Sequence, residues 1–443
     1  MVRITREEER EREELLPVPS RSTPAAAAAA AVEVEVSRKW KRNSKWVTFV
    51  SIYSMMYFPL GVGPAFAYTG WIPGLGMLSY SAWASFVSGN HLSKLCTEDE
   101  DNIVLDTYPK LARKLFQRRG EWVVTATQSS LYFMCGAFNI AYIPASFQQL
   151  LPSLGKADTR YMLITWGIMC VGSLLPTYHH TFYISAFSAA VSTMNAMLQL
   201  FVIFFYQSDL SNQKSLVGKD FYALLSALPA ISYTFGGHGV FPEEVRELKV
   251  PKDFSETIRW LYLASLPWYY ACSISSYWAY GDTIQGNPIA NWPEGLWLTK
   301  VAAFFSLIGA LVISVTSNQA TLLAIENKLR LNPYDSLLTK GVLQEKNHNT
   351  VLHGSSRVLV RFSFVTMQLL VALLLSNTPL QFIQAFMGSF GVGCLTFVFP
   401  FVLYIKWKGD SVINWLFLII GAILTCLGMV FSSLEILKKL NVI

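Results

Sequence analysis

YTFGGHGVFPEE, residues 233–244, decides the fold of this chain. Three glycines and a proline interrupt an otherwise apolar segment here, and His238 stands at the interruption. Unpaired backbone groups are costly in lipid, so a broken membrane helix persists only where it is buried in protein or lines a cavity. The stretch therefore predicts a membrane helix that is broken at a functional site.

A second break lies near the start of the chain, at PLGVGP, residues 59–64. Glycine- and proline-interrupted spans at corresponding places in two halves of a chain are the best sequence indication of a transporter's substrate site. Here the second break falls five apolar spans after the first. This arrangement favours a transporter.

Apolar runs fill most of the chain, which has 443 residues of which 52% are hydrophobic. Runs of about 18 or more apolar residues indicate helices that cross a bilayer, and they exclude a set of soluble domains. We therefore predict an all-α polytopic membrane protein with about eleven transmembrane helices, called spans 1 to 11: 46–70, 72–94, 121–150, 160–176, 181–206, 221–245, 258–280, 296–325, 357–375, 378–405 and 412–436.

Basic residues predict the orientation. Of the 35 Lys and Arg, 28 lie in the N-terminal tail or in loops on the tail's side, and seven lie on the other side. Positive residues are enriched on the cytosolic side, so we expect a cytosolic, disordered tail over 1–44 and an extracytosolic C-terminus over 438–443. The net charge of +6 follows this pattern, and we expect no nucleic-acid partner.

Several classes of function are disfavoured. No Gly-x-x-x-x-Gly-Lys-Ser/Thr loop is present, which argues against transport driven by ATP. No nucleophile is paired with a base at membrane depth, so we expect no enzyme, and the six cysteines lack metal-ligand spacing, so we expect no cofactor or metal. Channel activity is the least favoured form of transport, since no ring of charged residues appears. We expect the protein to work as a monomer in the bilayer.

The two breaks supply candidate substrate-binding residues. Gly61, Val62 and Gly63 precede a half-helix whose first N–H groups and positive dipole end suit a carboxylate. A proline kink that serves packing alone is the alternative. In span 6, glycine permits unwound backbone, so we add Gly236 and Gly237, and we expect aromatic residues to wall the pocket: Tyr132, Phe133 and Phe235. These aromatic residues would otherwise serve core packing.

Ionisable and hydroxyl groups suggest the coupled ion. His238 is the one histidine of six predicted at membrane depth, where it would bind a proton, a substrate carboxylate, or both in sequence. A neutral histidine bonded to a freed carbonyl is the structural alternative. Asp282, at the external end of span 7, would take up protons from outside or cap a helix. Thr316 and Ser317 would form a cation site or join helices. Without an intramembrane carboxylate to hold sodium, a proton is favoured.

Two cytosolic features complete the predictions. Glu243 and Glu244 should emerge toward the cytosol where span 6 ends. In the loop 95–120, Leu111, Leu115 and Phe116 have helical spacing among basic residues, which suits an amphipathic helix at the inner leaflet or a solvated helix.

Four motifs carry a resemblance: YTFGGHGVFPEEVRE at 233–247, YWAYGD at 277–282, LLPTYHHTFYISAFS at 174–188 and GSFGVGCLTFVFP at 388–400. Through them the region 45–437 resembles the amino acid/auxin permease family, and the Phe-Gly-Gly-His form is most similar to auxin influx carriers. The resemblance implies an inverted repeat of five plus five spans (45–207 and 220–405), an extra helix at 411–437, and broken spans 1 and 6 meeting at a central site. It also implies that Gly236, Gly237 and His238 line the substrate and proton site, and that Asp282 is a proton-linked acid.

The function expected from these observations is a proton-coupled symporter that imports amino acids or related small carboxylates by alternating access. The alternatives are an auxin-like carrier of indole carboxylates, and an amino acid-sensing receptor that signals through the loops 95–120 and 326–356. We expect the plasma membrane, with an endosomal or vacuolar membrane as the alternative because residues 11–16, EREELL, match an acidic dileucine sorting pattern.

Overall fold

The computed structural model describes residues 43–56, 59–98, 107–151, 158–174, 182–207, 212–218, 220–293, 295–329, 331, 350–376, 378, 380–409 and 411–440. The predictions for the tail over 1–42, including its dileucine pattern, and for the loop residues 332–349 lie outside these ranges.

The regular secondary structure of the described residues is helical, apart from one isolated β-bridge between Asn43 and Leu248. A helix, continuous or interrupted, lies at each of the eleven predicted positions. In span order their bounds are Lys45–Met56 with Gly63–Thr69, Trp71–Thr97, Tyr108–Leu150, Asp158–Ser173, Phe182–Tyr206, Phe221–Tyr233 with Phe241–Glu247, Phe254–Tyr280, Trp297–Lys328, Thr350–Leu374, Leu380–Met387 with Phe399–Lys408, and Val412–Lys439. The all-α prediction is confirmed.

Hydropathy separates these helices into two groups. Within the described residues, five helices are long and apolar enough to cross a membrane, those of spans 5, 8, 9, 10 and 11, and the two pieces of span 1, bent by 45°, make a sixth. The helices of spans 4 and 6 are shorter than 18 residues, and some of the other predicted spans bury small polar residues between helices. Span 2, for example, buries Ser81, Ser85 and Ser88. Such residues let helices approach closely and bond within a bundle.

Span 10 is irregular at its centre. An α-helix ends at Met387, a π-helix runs over Gly388–Val398, and an α-helix resumes at Phe399. A Cβ at Gly388 would lie 2.0 Å from the carbonyl oxygen of Pro229 in span 6. Glycine is therefore required here for the backbones of spans 6 and 10 to meet.

The basic segment of the loop 95–120 is the beginning of the span 3 helix, which starts at Tyr108 and is kinked at Phe116 and Gln117, where the φ of Gln117 is 57°. Leu111 is 1% exposed, and the Tyr108 hydroxyl donates to the Leu395 carbonyl at 2.9 Å. The interpretation of Leu111 as a lipid-facing residue is wrong, since this face packs on the protein. Phe116, 39% exposed, lies outside that contact.

Candidate functional site

The break in span 6 arises from glycine and proline. The first helix ends at Tyr233, Gly236–Val240 form a 3-10 turn, and a second helix begins at Phe241 with Pro242 in its first turn. Proline lacks an N–H and its fixed φ suits the first turn of a helix, so it starts the second half-helix without leaving a donor unpaired.

The break in span 1 has the same construction. A 3-10 turn covers Pro59–Gly61, and a new helix begins at Gly63 with Pro64 in its first turn. Both breaks therefore interrupt the α-helix of a span with a 3-10 turn, at the places that the sequence predicts.

A cavity of about 100 Å³ lies where the two breaks meet. One water needs ~10–15 Å³ on this measure, so the space is several times larger than a single water requires. Its wall takes residues from both broken spans: Met55, Met56, Pro59, Leu60, Thr234, Gly236, Gly237 and Val240. Spans 3, 5 and 8 close other sides of it.

Four of the predicted site residues line this cavity: Tyr132, Gly236, Gly237 and Ser317. Their positions show why glycine occupies the turn. A Cβ at Gly237 would lie 2.3 Å from the Met56 side chain, and a Cβ at Gly236 would lie 2.8 Å from Val392 Cγ2. The two glycines thus let spans 1 and 10 approach the span 6 turn.

Three predicted residues of the span 1 break, Gly61, Val62 and Gly63, lie beside the cavity rather than in the wall described for it. The Gly61 carbonyl accepts a hydrogen bond from Gln384 at 3.4 Å, and Val62 is fully buried. A Cβ at Gly63 would lie 2.2 Å from Ser276 Oγ. In the structure the missing side chain of Gly63 leaves space for the Ser276 side chain of span 7.

Two predicted aromatic residues face other helices. Phe133 packs edge-on against Phe364 of span 9, with ring centroids 5.4 Å apart. Phe235 is fully buried, and its ring lies 5.4 Å from Tyr269 and 6.3 Å from Tyr262 of span 7. Of the three aromatic residues predicted for the pocket, Tyr132 is the one in the cavity wall.

His238 belongs to the 3-10 turn, but its ring faces span 2 and is not part of the cavity wall. It is fully buried, with Nε2 2.8 Å from the Ser85 carbonyl oxygen and Nδ1 3.3 Å from the Phe235 carbonyl oxygen. A neutral imidazole has one N–H and can donate to only one of these carbonyls, whereas a protonated ring donates to both. One of the two carbonyls therefore accepts a hydrogen bond from the ring only when the ring is protonated.

Asp282 fastens the C-terminal end of span 7. Its carboxylate accepts hydrogen bonds from the Tyr277 hydroxyl at 2.6 Å and the Ser215 hydroxyl at 2.7 Å, and its N–H donates to the Gln213 carbonyl at 2.8 Å. The preceding Gly281 has a φ of 57°, and a Cβ there would lie 2.2 Å from the Gln213 carbonyl oxygen. Asp282 thus joins span 7 to the segment 212–218.

The two predicted cation-site residues point differently. The Thr316 hydroxyl donates to the Val312 carbonyl of its own helix at 2.9 Å, while Ser317 lines the cavity, 3.9 Å from Cys135 Sγ. Within the described residues, no group of three or more His, Cys, Asp and Glu side chains could hold a metal ion.

The cavity wall is uncharged. It contains no Asp, Glu, Lys, Arg or His in the part of the chain that the structure describes. Its polar groups include Asn139, Asn195, Ser192 and Ser306, none of which the sequence analysis selected. Asn195 is 4% exposed; its Nδ2 donates to Ser306 Oγ at 2.7 Å, and its Oδ1 has no hydrogen-bond partner among the described residues. An asparagine within an apolar helix was the available signal.

One further expectation is corrected. Glu244 does not emerge into the cytosol: it is 7% exposed, and its carboxylate accepts from the Ser51 hydroxyl at 2.8 Å. Glu243 accepts from Gln128 Nε2 at 3.2 Å. The short second helix of span 6 lies against spans 2 and 3 and is bonded to span 1 through Ser51, and these contacts cover its acidic first turn.

The family model described as transmembrane amino acid transporter protein matches residues 43–438 of the chain. Three similar proteins come from Arabidopsis thaliana. Amino acid transporter AVT1E is 22% identical over 81% of this chain and 66% of its own length, and amino acid transporter AVT1C is 22% identical over 54% and 44%. Lysine histidine transporter-like 6 is 23% identical over 86% of this chain and 88% of its own length. The chain thus spans less than two thirds of the first two relatives.

Two solved structures share the fold. The inward-facing conformation of Mhp1 superposes with a TM-score of 0.54 at 12% identity, covering 90% of this chain and 91% of its own. A substrate-bound, outward-open Na⁺-coupled sialic acid symporter superposes with a TM-score of 0.50 at 13% identity, covering 92% and 95%. At such identities these likenesses show the fold alone.

Proposed function

Because the chain belongs to the transmembrane amino acid transporter protein family, we propose that it is a proton-coupled symporter that imports amino acids or related small carboxylates by alternating access. It is an integral membrane protein of an amino acid transporter family. The relatives it matches and the proteins that share its fold are transporters, which are not enzymes.

The observation that carries the proposal is the uncharged cavity between the breaks of spans 1 and 6. A zwitterionic amino acid has no net charge, so it requires backbone and neutral polar partners rather than a buried counter-ion. Unwound backbone at Pro59, Leu60, Gly236 and Gly237 supplies the first kind of partner. The substrate's charged groups bind backbone and side-chain polar groups of the cavity wall, and the substrate side chain lies among the apolar wall residues.

Polar side chains on the far wall supply the second kind of partner. Asn195 Oδ1 is a buried acceptor without a hydrogen-bond donor among the described residues. Leaving such a group unpaired costs about 1–3 kcal/mol, so a ligand that donates to it gains affinity. The ammonium group or a side-chain donor of an amino acid can donate a hydrogen bond to Asn195 Oδ1. An indole carboxylate without an amine has only its ring N–H to donate.

Proton coupling is proposed through His238. The imidazole lies directly behind Gly236 and Gly237, and the two carbonyls that face its nitrogens accept both hydrogens of the protonated ring. Protonation therefore lets the ring bond the Ser85 carbonyl of span 2 and the Phe235 carbonyl of span 6 at the same time, whereas the neutral ring bonds only one of them. Asp282 takes the external part of this role, as the acid that holds span 7 to the segment 212–218.

The orientation follows the basic residues. We place the N-terminus in the cytosol and the C-terminus outside, in the plasma membrane, with the protein acting as a monomer. The ends of spans 2, 3, 6, 8, 9 and 10 that carry most of the described Lys and Arg are then cytosolic.

Uptake by purified protein in liposomes tests the substrate. Vesicles with an acid exterior receive a pool of labelled amino acids, with and without indole-3-acetate as competitor. We expect uptake of one or more amino acids that indole-3-acetate does not abolish. Uptake confined to indole-3-acetate would assign an auxin-like carrier, and binding without uptake of any amino acid would assign a receptor.

A further inference from the structure

Glu244 joins the cytosolic halves of the two broken spans. It lies in Phe241–Glu247 of span 6, and the Ser51 hydroxyl of Lys45–Met56 in span 1 donates to its Oε1 at 2.8 Å. Its Oε2 is buried and has no hydrogen-bond partner in the described part of the chain. This hydrogen bond between the two half-helices can form only while they are in contact.

No described cation pairs with Glu244. The charged groups that act on it from its own helix are Glu243, Arg246 and Glu247. Arg246 is bonded to Glu247 at 3.1 Å, and Glu243 adds a second acid. Span 6 therefore surrounds Glu244 with more acid than base.

The neighbouring elements do not supply a counter-ion either. On the span 1 side, Lys45 is paired with Glu256 of span 7 at 2.8 Å. On span 2, Lys94 lies in the last turn, and His91 Nε2 bonds Asn414 while its ring stacks on Tyr404. From span 3, Gln128 and the phenol of Tyr108 face the pair of acids. On the connection to span 7, Lys252 and Asp253 lie in an exposed turn without buried residues.

A buried carboxylate without a cation is costly, and a bound proton removes its charge. The protonated acid also has an O–H to donate. When the cytosolic halves of spans 1 and 6 separate, the Ser51 bond breaks and water reaches the carboxyl. The O–H bond can then break, and the proton passes to water on the cytosolic side.

We propose that Glu244 is a second proton-binding site of the transport cycle, which holds a proton while the cytosolic halves of spans 1 and 6 are joined and releases it to the cytosol when they separate. The inference rests on the proposed function, in which that proton has come from outside with the substrate.

Glu244→Gln tests this, because glutamine keeps the shape and the acceptor for Ser51 but cannot release a proton. In liposomes, we expect the variant to lose most of the accumulation driven by an acid exterior, by about tenfold or more, while it still exchanges labelled for unlabelled substrate at zero gradient. Glu244→Asp, which remains ionisable, should recover gradient-driven accumulation. Glu98→Gln, an exposed acid paired with Lys408 at 2.7 Å, is the matched control and should behave as wild type.

Gradient-driven accumulation by Glu244→Gln equal to that of wild type would overturn the inference and leave the proposed function intact. Absence of gradient-driven accumulation in wild type would instead overturn the proposed function.

A measurement on the wild-type protein covers the case in which the variants fail to fold. Dicyclohexylcarbodiimide reacts with protonated carboxyl groups in apolar surroundings, adding to the acid to give an N-acylurea. Mass spectrometry after treatment at pH 7 should find this adduct on Glu244 and not on Glu247. An adduct absent from Glu244, or equal on both residues, would contradict the proposal.

Discussion

Gly236 and Gly237 keep the cavity open because neither position can carry a side chain without displacing a neighbour across the gap. The Met56 side chain is 2.3 Å from the position of a Cβ on Gly237, which is closer than real Cβ contacts allow. Met56 is flexible and can move, but the space beside it is the cavity. Any side chain at Gly237 therefore reduces the volume left for a substrate.

Gly237→Ala should reduce amino acid uptake at least tenfold without loss of folded protein, because the displaced Met56 fills substrate space. Initial uptake rates and thermal stability of the purified variant measure the two effects. Gly76→Ala is the matched control, since a Cβ at Gly76 meets nothing within 4 Å. Normal uptake by Gly237→Ala would show that the substrate binds elsewhere.

Asn195 is expected to contact the substrate. Asn195→Ala removes the unpaired acceptor from the cavity wall, and loss of one such bond, worth about 1–3 kcal/mol, should raise the KM roughly 5- to 150-fold. Gln199 is the control, since it lies one turn further along span 5 and its Nε2 donates to the Cys272 carbonyl at 3.1 Å instead. An unchanged KM for Asn195→Ala, or an equal rise for Gln199→Ala, would contradict the assignment.

At the scale of elements, the breaks were predictable and the direction of side chains was not. Glycine and proline identify where spans 1 and 6 unwind, because their effect on a helix is local. Whether His238 faces the cavity or span 2 depends on how the turn is rotated against its neighbours, which no local pattern encodes. The same holds for Gly63, whose missing side chain admits Ser276.

Buried polar side chains were missed for a related reason. Asn195 and Glu244 each look ordinary in the sequence, one as a helix-joining amide and the other as a residue at a span end. Their importance comes from partners on other spans, Ser306 and Ser51. By contrast, the helix bounds follow from runs of apolar residues and agree with the predicted spans at most ends.

Spans 4, 8 and 9 are held together by a buried ion pair. Glu326 is fully buried, and Arg361, 1% exposed, bonds both of its carboxylate oxygens and the Ser173 carbonyl. Arg357 adds a bond to Glu326 at 2.8 Å. Removing one member of such a pair leaves the other buried without its partner.

Arg361→Met should therefore lower the free energy of unfolding by about 3 kcal/mol or more, seen as a lower Tm of the purified protein in detergent. The double variant Glu326→Met with Arg361→Met should recover part of the loss, because it removes both fully buried charges and leaves only Arg357, whose side chain is 16% exposed, without its acid. Lys438→Ala, which breaks an exposed pair with Glu435, is the control and should leave the Tm unchanged. A wild-type Tm for Arg361→Met would show that the pair does not join the spans.

For the whole molecule, in the transport cycle and orientation proposed above, the cavity lies between a cytosolic and an external set of contacts that open in turn. At the cytosolic end, Ser51 bonds Glu244, and Lys45 bonds Glu256. The hydrogen bond from Lys45 lowers the pKa of the Glu256 carboxyl. The pair's contribution to the stability of the folded protein is therefore present at neutral pH and is lost as the pH falls through that lowered pKa. At the external end, Asp282 holds span 7 to Ser215. Opening one set while the other stays closed is alternating access.

Accumulation against a concentration gradient tests this account most directly. Purified protein in liposomes, with an acid exterior and no sodium, should concentrate an amino acid inside above its external level, and a protonophore should abolish the accumulation. Uptake that stops at equal concentrations, or accumulation that requires sodium and ignores the pH gradient, would contradict the account.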